Sequence, residues 1–83
     1  MITRIVKMTF QPNSVNAFLN NFELIKEEIR GFEGCEKVVL LQDVANPSVY
    51  FTYSWWQSEA HLNNYRNSDL FKGVWSFTKS LFA

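Results

Sequence analysis

Cysteine, glycine and proline are scarce in this sequence, with one Cys, three Gly and two Pro in 83 residues. A single cysteine, Cys35, excludes an intramolecular disulfide, and no Cys/His cluster has the spacing of a structural zinc site. A reactive thiol needs a lowered pKa, and only Lys37 flanks Cys35 with a positive charge. We therefore interpret Cys35 as a small buried side chain without a catalytic role.

An excess of charge of either sign is also absent. Eight Lys and Arg balance eight Asp and Glu, and neither sign forms a block. This balance argues against a nucleic-acid partner, which needs a basic surface. The N-terminus has no hydrophobic signal core, and no stretch approaches the ~20 apolar residues that span a bilayer. We therefore predict a cytoplasmic protein with neither a nucleic-acid nor a membrane partner.

Large apolar side chains are abundant. Hydrophobic residues make up 47% of the sequence, and eight Phe, three Trp and three Tyr bring the aromatic share to 17%. A chain of this size forms one domain, residues 1–83, and buries only roughly 60% of the surface that its unfolded form exposes. Some of the apolar surface should therefore meet a second subunit or line a pocket, which predicts a homodimer.

The first half of the chain has the pattern of a strand followed by a helix. Residues 2–10 alternate, so that Arg4 shares a strand face with apolar neighbours. Pro12 and Ser14 supply a strand stop and capping chemistry for a helix that ends at Gly31. The apolar positions of this helix recur at spacings of three and four: Val15, Phe18, Leu19, Phe22, Ile25 and Ile29.

The second half predicts a hairpin and two more helices. Residues 35–43 and 49–56 are rich in β-formers on either side of a turn, and form an antiparallel pair. Ser58 can cap a short helix through Tyr65, and Ser68 can cap the next one. The order β-α-β-β-α-α predicts an α+β, ferredoxin-like fold with an antiparallel sheet. In that fold a fourth strand pairs with the outer edge of the first. The predicted order has only three strands, so a partner subunit is the simplest way to cover the unpaired edge of the first strand.

Two segments resemble the antibiotic biosynthesis monooxygenase family, which includes a haem-degrading branch. One is the run Trp56-Gln57-Ser58-Glu59-Ala60-His61-Leu62-Asn63-Asn64-Tyr65-Arg66-Asn67-Ser68-Asp69-Leu70-Phe71, and the other is the turn Phe32-Glu33-Gly34-Cys35. The resemblance extends to about Phe82 and lacks the family's last strand. It implies a dimeric α/β barrel with a small pocket between sheet and helices in each subunit.

The sequence matches the family's fold more fully than it matches the residues that carry the family's chemistry. Haem-degrading relatives use an Asn, a Trp and a His at positions that match Arg4, Tyr65 and Trp75 here. An indole nitrogen has no available lone pair for iron, so haem binding in the family's manner is disfavoured. Many other members carry a His nine residues after the Trp that ends the strand, where this chain has Tyr65. The implied chemistry is therefore cofactor-free, in a desolvated pocket that favours the deprotonated form of a phenolic substrate and lets it reduce O₂.

Three residues are candidates for catalysis. Arg4 could hold a phenolate or carboxylate, or it could lie at the sheet margin with its head in water or paired with an acid. His61 and Tyr65 share a helix face and could act as an acid/base pair, with His61 as proton acceptor. The alternative is an exposed His61 beside a Tyr65 packed on the sheet.

Three aromatic residues are candidates for the pocket walls, namely Trp56, Phe71 and Trp75. Trp55 and Trp56 point to opposite faces of their strand, so only one of them can face the pocket, and the other belongs to a dimer interface or barrel core. All three wall candidates could instead be packing elements of the core.

The sequence therefore predicts a cofactor-free, monooxygenase-like protein that binds a small aromatic or quinone-like ligand between sheet and helices. A non-catalytic dimeric barrel that binds a ligand or simply assembles is the alternative. Haem binding or degradation is a third possibility. No metal is expected.

Overall fold

The computed structural model describes residues 1–83 and has the predicted element order. Its strands are β1 (Ile2–Thr9), β2 (Cys35–Gln42) and β3 (Val49–Trp56). Its helices are α1 (Val15–Arg30), α2 (Glu59–Arg66) and α3 (Asp69–Ser80), and a 3₁₀ turn, Pro12–Ser14, precedes α1. None of the three helices has the length and hydrophobicity to cross a lipid bilayer.

The three strands form one antiparallel sheet in the order β1-β3-β2. In β3, Ser54 lies opposite Arg4 of β1 and Val38 of β2. Because side chains alternate along a strand, the even-numbered residues of β1 and β3 face the helices and the odd-numbered residues face away. This arrangement confirms the predicted ferredoxin-like α+β fold and the predicted hairpin of β2 and β3.

The start of α1 differs from the prediction. Ser14 accepts no capping hydrogen bond and has φ −104° and ψ −6°, because it already belongs to the turn in which its N–H bonds to Gln11 O at 2.8 Å. A capping serine adopts an extended conformation instead. Ser58 and Ser68 do adopt it, and their Oγ atoms accept from the backbone N–H groups of His61 and Phe71.

Two hydrophobic clusters pack between the sheet and the helices. The first lies at the end of the sheet where β1 starts and β3 ends, and its buried members are Ile29, Val38, Trp56, Leu62 and Tyr65. The second lies at the opposite end, and its buried members are Met8, Phe10, Phe18, Tyr50. Helix α1 contributes Phe18 to one cluster and Ile29 to the other, so it runs along the length of the sheet.

Part of the outer edge of β1 is covered by the chain itself. After α3, Phe82 forms an antiparallel bridge with Phe10, and Ala83 N–H donates to Thr9 O at 3.0 Å. Gln11 N–H donates to Leu81 O at 3.0 Å. Residues 81–83 therefore take the place beside β1 where a fourth strand runs in this fold, next to the end of β1 only.

Candidate functional site

A partly open cavity lies between the sheet and the helices, at the junction of the two clusters. The cavity has a volume of about 60 Å³, and the whole concavity with its open mouth encloses about 630 Å³. The cavity therefore has room for several waters, each of which needs at least ~10–15 Å³. Sixteen residues line it: Arg4, Val6, Met8, Phe18, Asn21, Phe22, Ile25, Ile29, Val38, Thr52, Ser54, Tyr65, Phe71, Val74, Trp75 and Thr78. The lining is thus mostly apolar, with a small set of polar groups, as is typical of small-molecule sites.

Arg4 is the one charged residue of the lining. The alternation of β1 puts it on the helix-facing side, and its guanidinium carbon lies 5.4 Å from the centre of the Phe71 ring. The two salt bridges of the chain join Lys26 to Glu23 and Arg30 to Glu27, so no carboxylate pairs with Arg4. Burial lowers the pKa of Arg4, and the positive charge of Arg66 acts in the same direction, against the influence of Tyr65. The cavity therefore contains a partly desolvated cation without a counter-ion.

Tyr65 places a hydroxyl in the same cavity. Its ring stacks on Trp56 with centroids 4.7 Å apart and meets Phe71 edge-on at 5.1 Å. No hydrogen bond within the chain uses its hydroxyl, which retains access to solvent, and Tyr65 is a residue of the cavity lining. Burial raises the pKa of Tyr65 to about 12, although Arg4 acts to lower it. Tyr65 is therefore a neutral hydrogen-bond donor at physiological pH.

Trp56 lies behind Tyr65 and does not line the cavity. It is fully buried, at 0% exposure, and its Nε1–H donates to Ser54 Oγ at 3.0 Å. Trp56 therefore supports the ring of Tyr65 and orients the hydroxyl of Ser54, whereas Tyr65 itself forms the wall.

The other two wall candidates, Phe71 and Trp75, both line the cavity. They stand one turn apart on α3, with centroids 6.1 Å apart and ring planes inclined by 15°. The Ser68 cap fixes the start of this helix, and so sets where the two rings enter. Trp75 also meets Phe82 edge-on at 5.8 Å.

His61 lies outside the cavity lining, although it shares an element with Tyr65. Its Nδ1 is 2.8 Å from Ser58 Oγ, and its ring packs against Gly34. The structure thus brings together Arg4, Tyr65, Phe71 and Trp75 and leaves out His61 and Trp56. A role for His61 as proton acceptor stays a prediction, which the composition of the lining does not favour.

Several polar residues of the lining were not recognised in the sequence, namely Asn21, Thr52, Ser54 and Thr78. Thr78 is satisfied locally, because its Oγ1 donates to Val74 O at 2.7 Å. A signal for Asn21 was available, since it falls on the apolar stripe of α1 between Phe18 and Phe22. An amide on a stripe that faces the core needs a partner or a cavity.

Cys35 takes no part in the site. It is half-buried against the first cluster, and burial raises the pKa of its thiol, which disfavours the thiolate. No group of three or more His, Cys, Asp or Glu side chains is placed to hold a metal ion.

The lining combines one cation, Arg4, and one neutral hydrogen-bond donor, Tyr65, with walls of aromatic rings. The lining contains neither a carboxylate nor an imidazole. It therefore offers no side chain that accepts a proton readily at neutral pH, and no imidazole for the iron of haem.

The family model for "Antibiotic biosynthesis monooxygenase" matches residues 1–74. None of the curated proteins compared with the chain matches it. Solved structures do match closely in shape. A conserved protein from Methanosarcina mazei Go1 superposes with a TM-score of 0.91 at 25% identity, over 96% of this chain and 79% of that one.

Two further structures support the same fold at lower identity. An antibiotic biosynthesis monooxygenase superposes with a TM-score of 0.90 at 17% identity, over 99% of this chain and 86% of that one. A candidate member from Nitrosomonas europaea gives 0.90 at 14% identity, over 100% and 87%. The family model covers most of the chain and the superpositions agree with it, which confirms the resemblance in residues 56–71: the chain belongs to the antibiotic biosynthesis monooxygenase family.

Proposed function

We propose that this protein binds a small aromatic or quinone-like anion in the cavity between sheet and helices. Arg4 would hold the oxyanion, Tyr65 would donate a hydrogen bond to it, and Phe71 and Trp75 would enclose the ring. The observation that carries this proposal is the guanidinium of Arg4, which lies in an apolar cavity with no carboxylate beside it.

Burying the charge of Arg4 costs free energy. A guanidinium taken partly out of water loses hydration, and its attraction to the Phe71 ring returns only about 0.5–2 kcal/mol. A carboxylate or phenolate would supply charge-assisted hydrogen bonds, which are roughly twice as strong as neutral ones and can be bidentate with Arg. An anionic ligand therefore stabilises a group that the fold leaves without a partner.

Cofactor-free oxygenation is the activity that fits this binding mode. A ring CH₂ conjugated with a phenolate would become C=O: one atom of O₂ enters the carbon, and the two hydrogens leave in the water formed from the other atom. Since the lining has no carboxylate or imidazole, the substrate has to lose its proton without a basic side chain, helped only by the stabilisation that Arg4 and Tyr65 give its oxyanion. This restricts the substrates to phenols acidic enough to lose a proton near neutral pH.

A non-catalytic binding protein is the second candidate, and the same absence of a basic side chain in the lining favours it. Oxygen uptake separates the two. Turnover with incorporation of one ¹⁸O atom from ¹⁸O₂ into the product would support the oxygenase, whereas tight binding without oxygen uptake would support the binding protein.

Haem binding is the third candidate, although the lining supplies no imidazole for the iron. A Soret band on mixing the protein with haemin would support it.

The binding proposal is tested with a charged ligand and its neutral isostere. We expect 1-naphthoate to bind at least about tenfold more tightly than 1-naphthamide, by calorimetry, because only the carboxylate pairs with Arg4. Arg4→Met should remove most of that preference, and Lys79→Met, which removes a positive charge outside the lining, should preserve it. Equal affinities for the two ligands in the unaltered protein would contradict the proposal.

We propose a second copy of this chain as the partner that covers the open face of the sheet. We define the open face as the side of the sheet away from the helices, with Ile5, Lys7, Lys37, Val39, Leu41, Phe51, Tyr53 and Trp55. Ile5 is 55% exposed and Leu41 48% exposed there. A mostly apolar sheet face of this kind is stable when a second layer packs on it.

The oligomeric state tests this second proposal. Sedimentation at micromolar concentration should give a dimer for the unaltered chain, and Leu41→Glu should shift it towards monomer. Leu24→Glu is the matched control, because Leu24 is 78% exposed on the outer side of α1, and it should leave the dimer intact. A monomeric unaltered chain would contradict the proposal. A cytoplasmic location stays a prediction, which cell fractionation would test.

A further inference from the structure

Asn21 is the one polar residue that α1 contributes to the cavity. The helix lines the cavity with Phe18, Asn21, Phe22, Ile25 and Ile29, which are the positions of one helix face. Its neighbour Asn20 is exposed on the outside of the helix, where an amide is expected. Asn21 is therefore an exception to the apolar pattern, placed where a ligand would lie.

The amide of Asn21 is free to bind. No hydrogen bond within the chain uses its side chain, and Asn21 is a partly exposed residue of the cavity lining. An amide offers two donors and one acceptor oxygen. Left beside apolar side chains, such a group has to be satisfied by water or by a ligand.

Asn21 and Arg4 lie towards opposite ends of the cavity. Ile29 packs in the cluster that contains Trp56 and Tyr65, at the end of the sheet where Arg4 lies. Asn21 is eight residues before Ile29, which corresponds to roughly 12 Å along the helix axis, and it follows Phe18, which belongs to the other cluster. Its amide therefore lies on the order of 10 Å from the oxyanion position.

We infer that Asn21 is a specificity-determining residue, which selects ligands that carry a second polar oxygen opposite the anionic one. In a benzene ring with oxygens in para positions, a hydrogen bond of ~2.9 Å at one end places its donor roughly 8–10 Å from the oxygen at the other end, which is of the same order as this separation. The ligand class is then a para-substituted aromatic acid or phenol with two oxygen-bearing ends. This inference rests on the proposed function, because it takes the Arg4 end as the anion site.

Two ligands and two variants test the inference. Benzoate carries the anion alone, and 4-hydroxybenzoate adds the second oxygen. In the unaltered protein we expect 4-hydroxybenzoate to bind about tenfold more tightly. Asn21→Leu should reduce the ratio of the two dissociation constants to within about twofold, and Asn20→Leu, on the outer face of the same helix, should leave it near tenfold.

A second variant keeps the test decisive if Asn21→Leu does not fold, which circular dichroism would show. Asn21→Asp retains the size and the acceptor oxygen, loses the amide donors and adds a negative charge. This charge should weaken the binding of all the benzoates alike, so the ratios of their dissociation constants are compared. The variant should keep the preference for 4-hydroxybenzoate over benzoate and discriminate against 4-methoxybenzoate, whose oxygen only accepts. The unaltered protein should accept both of the substituted ligands.

Different results would overturn the anion site at Arg4 and the role of Asn21. If neither benzoate nor 4-hydroxybenzoate binds at millimolar concentration, the anion site at Arg4 is wrong, and the inference falls with it. If benzoate binds and Asn21→Leu leaves the ratio near tenfold, or if the ratio in the unaltered protein is near one, the anion site stands and the role of Asn21 is overturned.

Discussion

The side chain of His61 packs directly on Gly34, so closely that a Cβ on Gly34 would come within 2.3 Å of the Cβ and Cγ of His61. Gly34 has φ +88° and forms the turn into β2, and its carbonyl accepts from the N–H of Gln57 at 2.9 Å. His61 is in the first turn of α2. This contact therefore joins the turn before β2 to the helix that carries Tyr65.

Gly34→Ala should destabilise the protein strongly. The left-handed conformation alone costs an alanine roughly 1–2 kcal/mol, and the overlap with His61 adds to it. We expect the free energy of unfolding, measured in urea, to fall by at least about 2 kcal/mol. His61→Ala should not rescue this variant, because the Cβ of residue 61 is itself one of the overlapping atoms. A loss of less than about 0.5 kcal/mol would show that the turn adapts.

Gly73→Ala should have the opposite effect. Gly73 is within α3, and a Cβ there would meet nothing within 4 Å. Alanine is favoured over glycine in a helix interior by roughly 0.5–1 kcal/mol, chiefly because glycine leaves more freedom in the unfolded chain. The urea midpoint should therefore rise, with an unchanged slope. A fall in the midpoint would mean that an unrecognised contact needs the glycine.

The sequence predicts which elements form, and on which face of its element each side chain lies, better than it predicts how deeply each side chain is buried. The alternation of β1 put Arg4 on the inner face, and the Ser58 and Ser68 caps marked the starts of two helices. Periodicity gives the face of an element and no more. It could not show that Trp56 lies behind Tyr65, because the stacking order depends on how α2 packs on the sheet.

Periodicity also leaves the surroundings of His61 on α2 undetermined. The four-residue spacing put His61 and Tyr65 on one face, as predicted, but the face of α2 meets different neighbours along its length. Its first turn meets Gly34, whereas its last turn meets the cavity. The apolar stripe of α1 already marks Asn21 as an exception, but only the cavity beside the helix shows what its amide can contact.

Ser54→Ala should destabilise the protein through Trp56. The indole N–H of the fully buried Trp56 donates to Ser54 Oγ. Removal of this oxygen leaves the buried indole N–H without a partner, at a cost of about 1–3 kcal/mol. Ser76→Ala, at an exposed position of α3, should change stability by less than about 0.5 kcal/mol. A double-mutant cycle with Trp56→Phe, which removes the donor, should give a coupling of about 1 kcal/mol or more between the two positions. Additive losses would exclude the bond as the cause.

Tyr65 should make stability fall at alkaline pH. Its folded pKa of about 12 exceeds the value of about 10 expected in the unfolded chain, so above pH 10 the folded state holds a proton that the unfolded state has lost. This contribution is fully present below about pH 10 and is lost as pH rises towards about 12, at roughly 1.4 kcal/mol per pH unit. The free energy of unfolding of the unaltered protein should therefore fall relative to that of Tyr65→Phe between pH 10 and 11. Parallel curves for the two proteins would contradict the raised pKa.

The affinity for a phenol should follow the ionisation of the ligand and not that of the site. Arg4 stays charged and Tyr65 stays protonated over roughly pH 6 to 9, so neither changes its state in that range. Binding of 4-nitrophenol, monitored by the visible absorbance of the phenolate, should strengthen as the pH rises through the ligand's own pKa and then level off. Benzoate should bind with a flat profile over the same range.

Two variants separate the roles of the two polar groups in that profile. Tyr65→Phe should weaken the binding of 4-nitrophenol about fivefold to tenfold without moving the profile, because it removes a neutral donor. Arg4→Met should abolish the rise with pH, because the phenolate then gains no ion pair. If Arg4→Met keeps the rise, another cation holds the oxyanion, and Arg66, whose charge already influences Arg4, would be the next residue to replace.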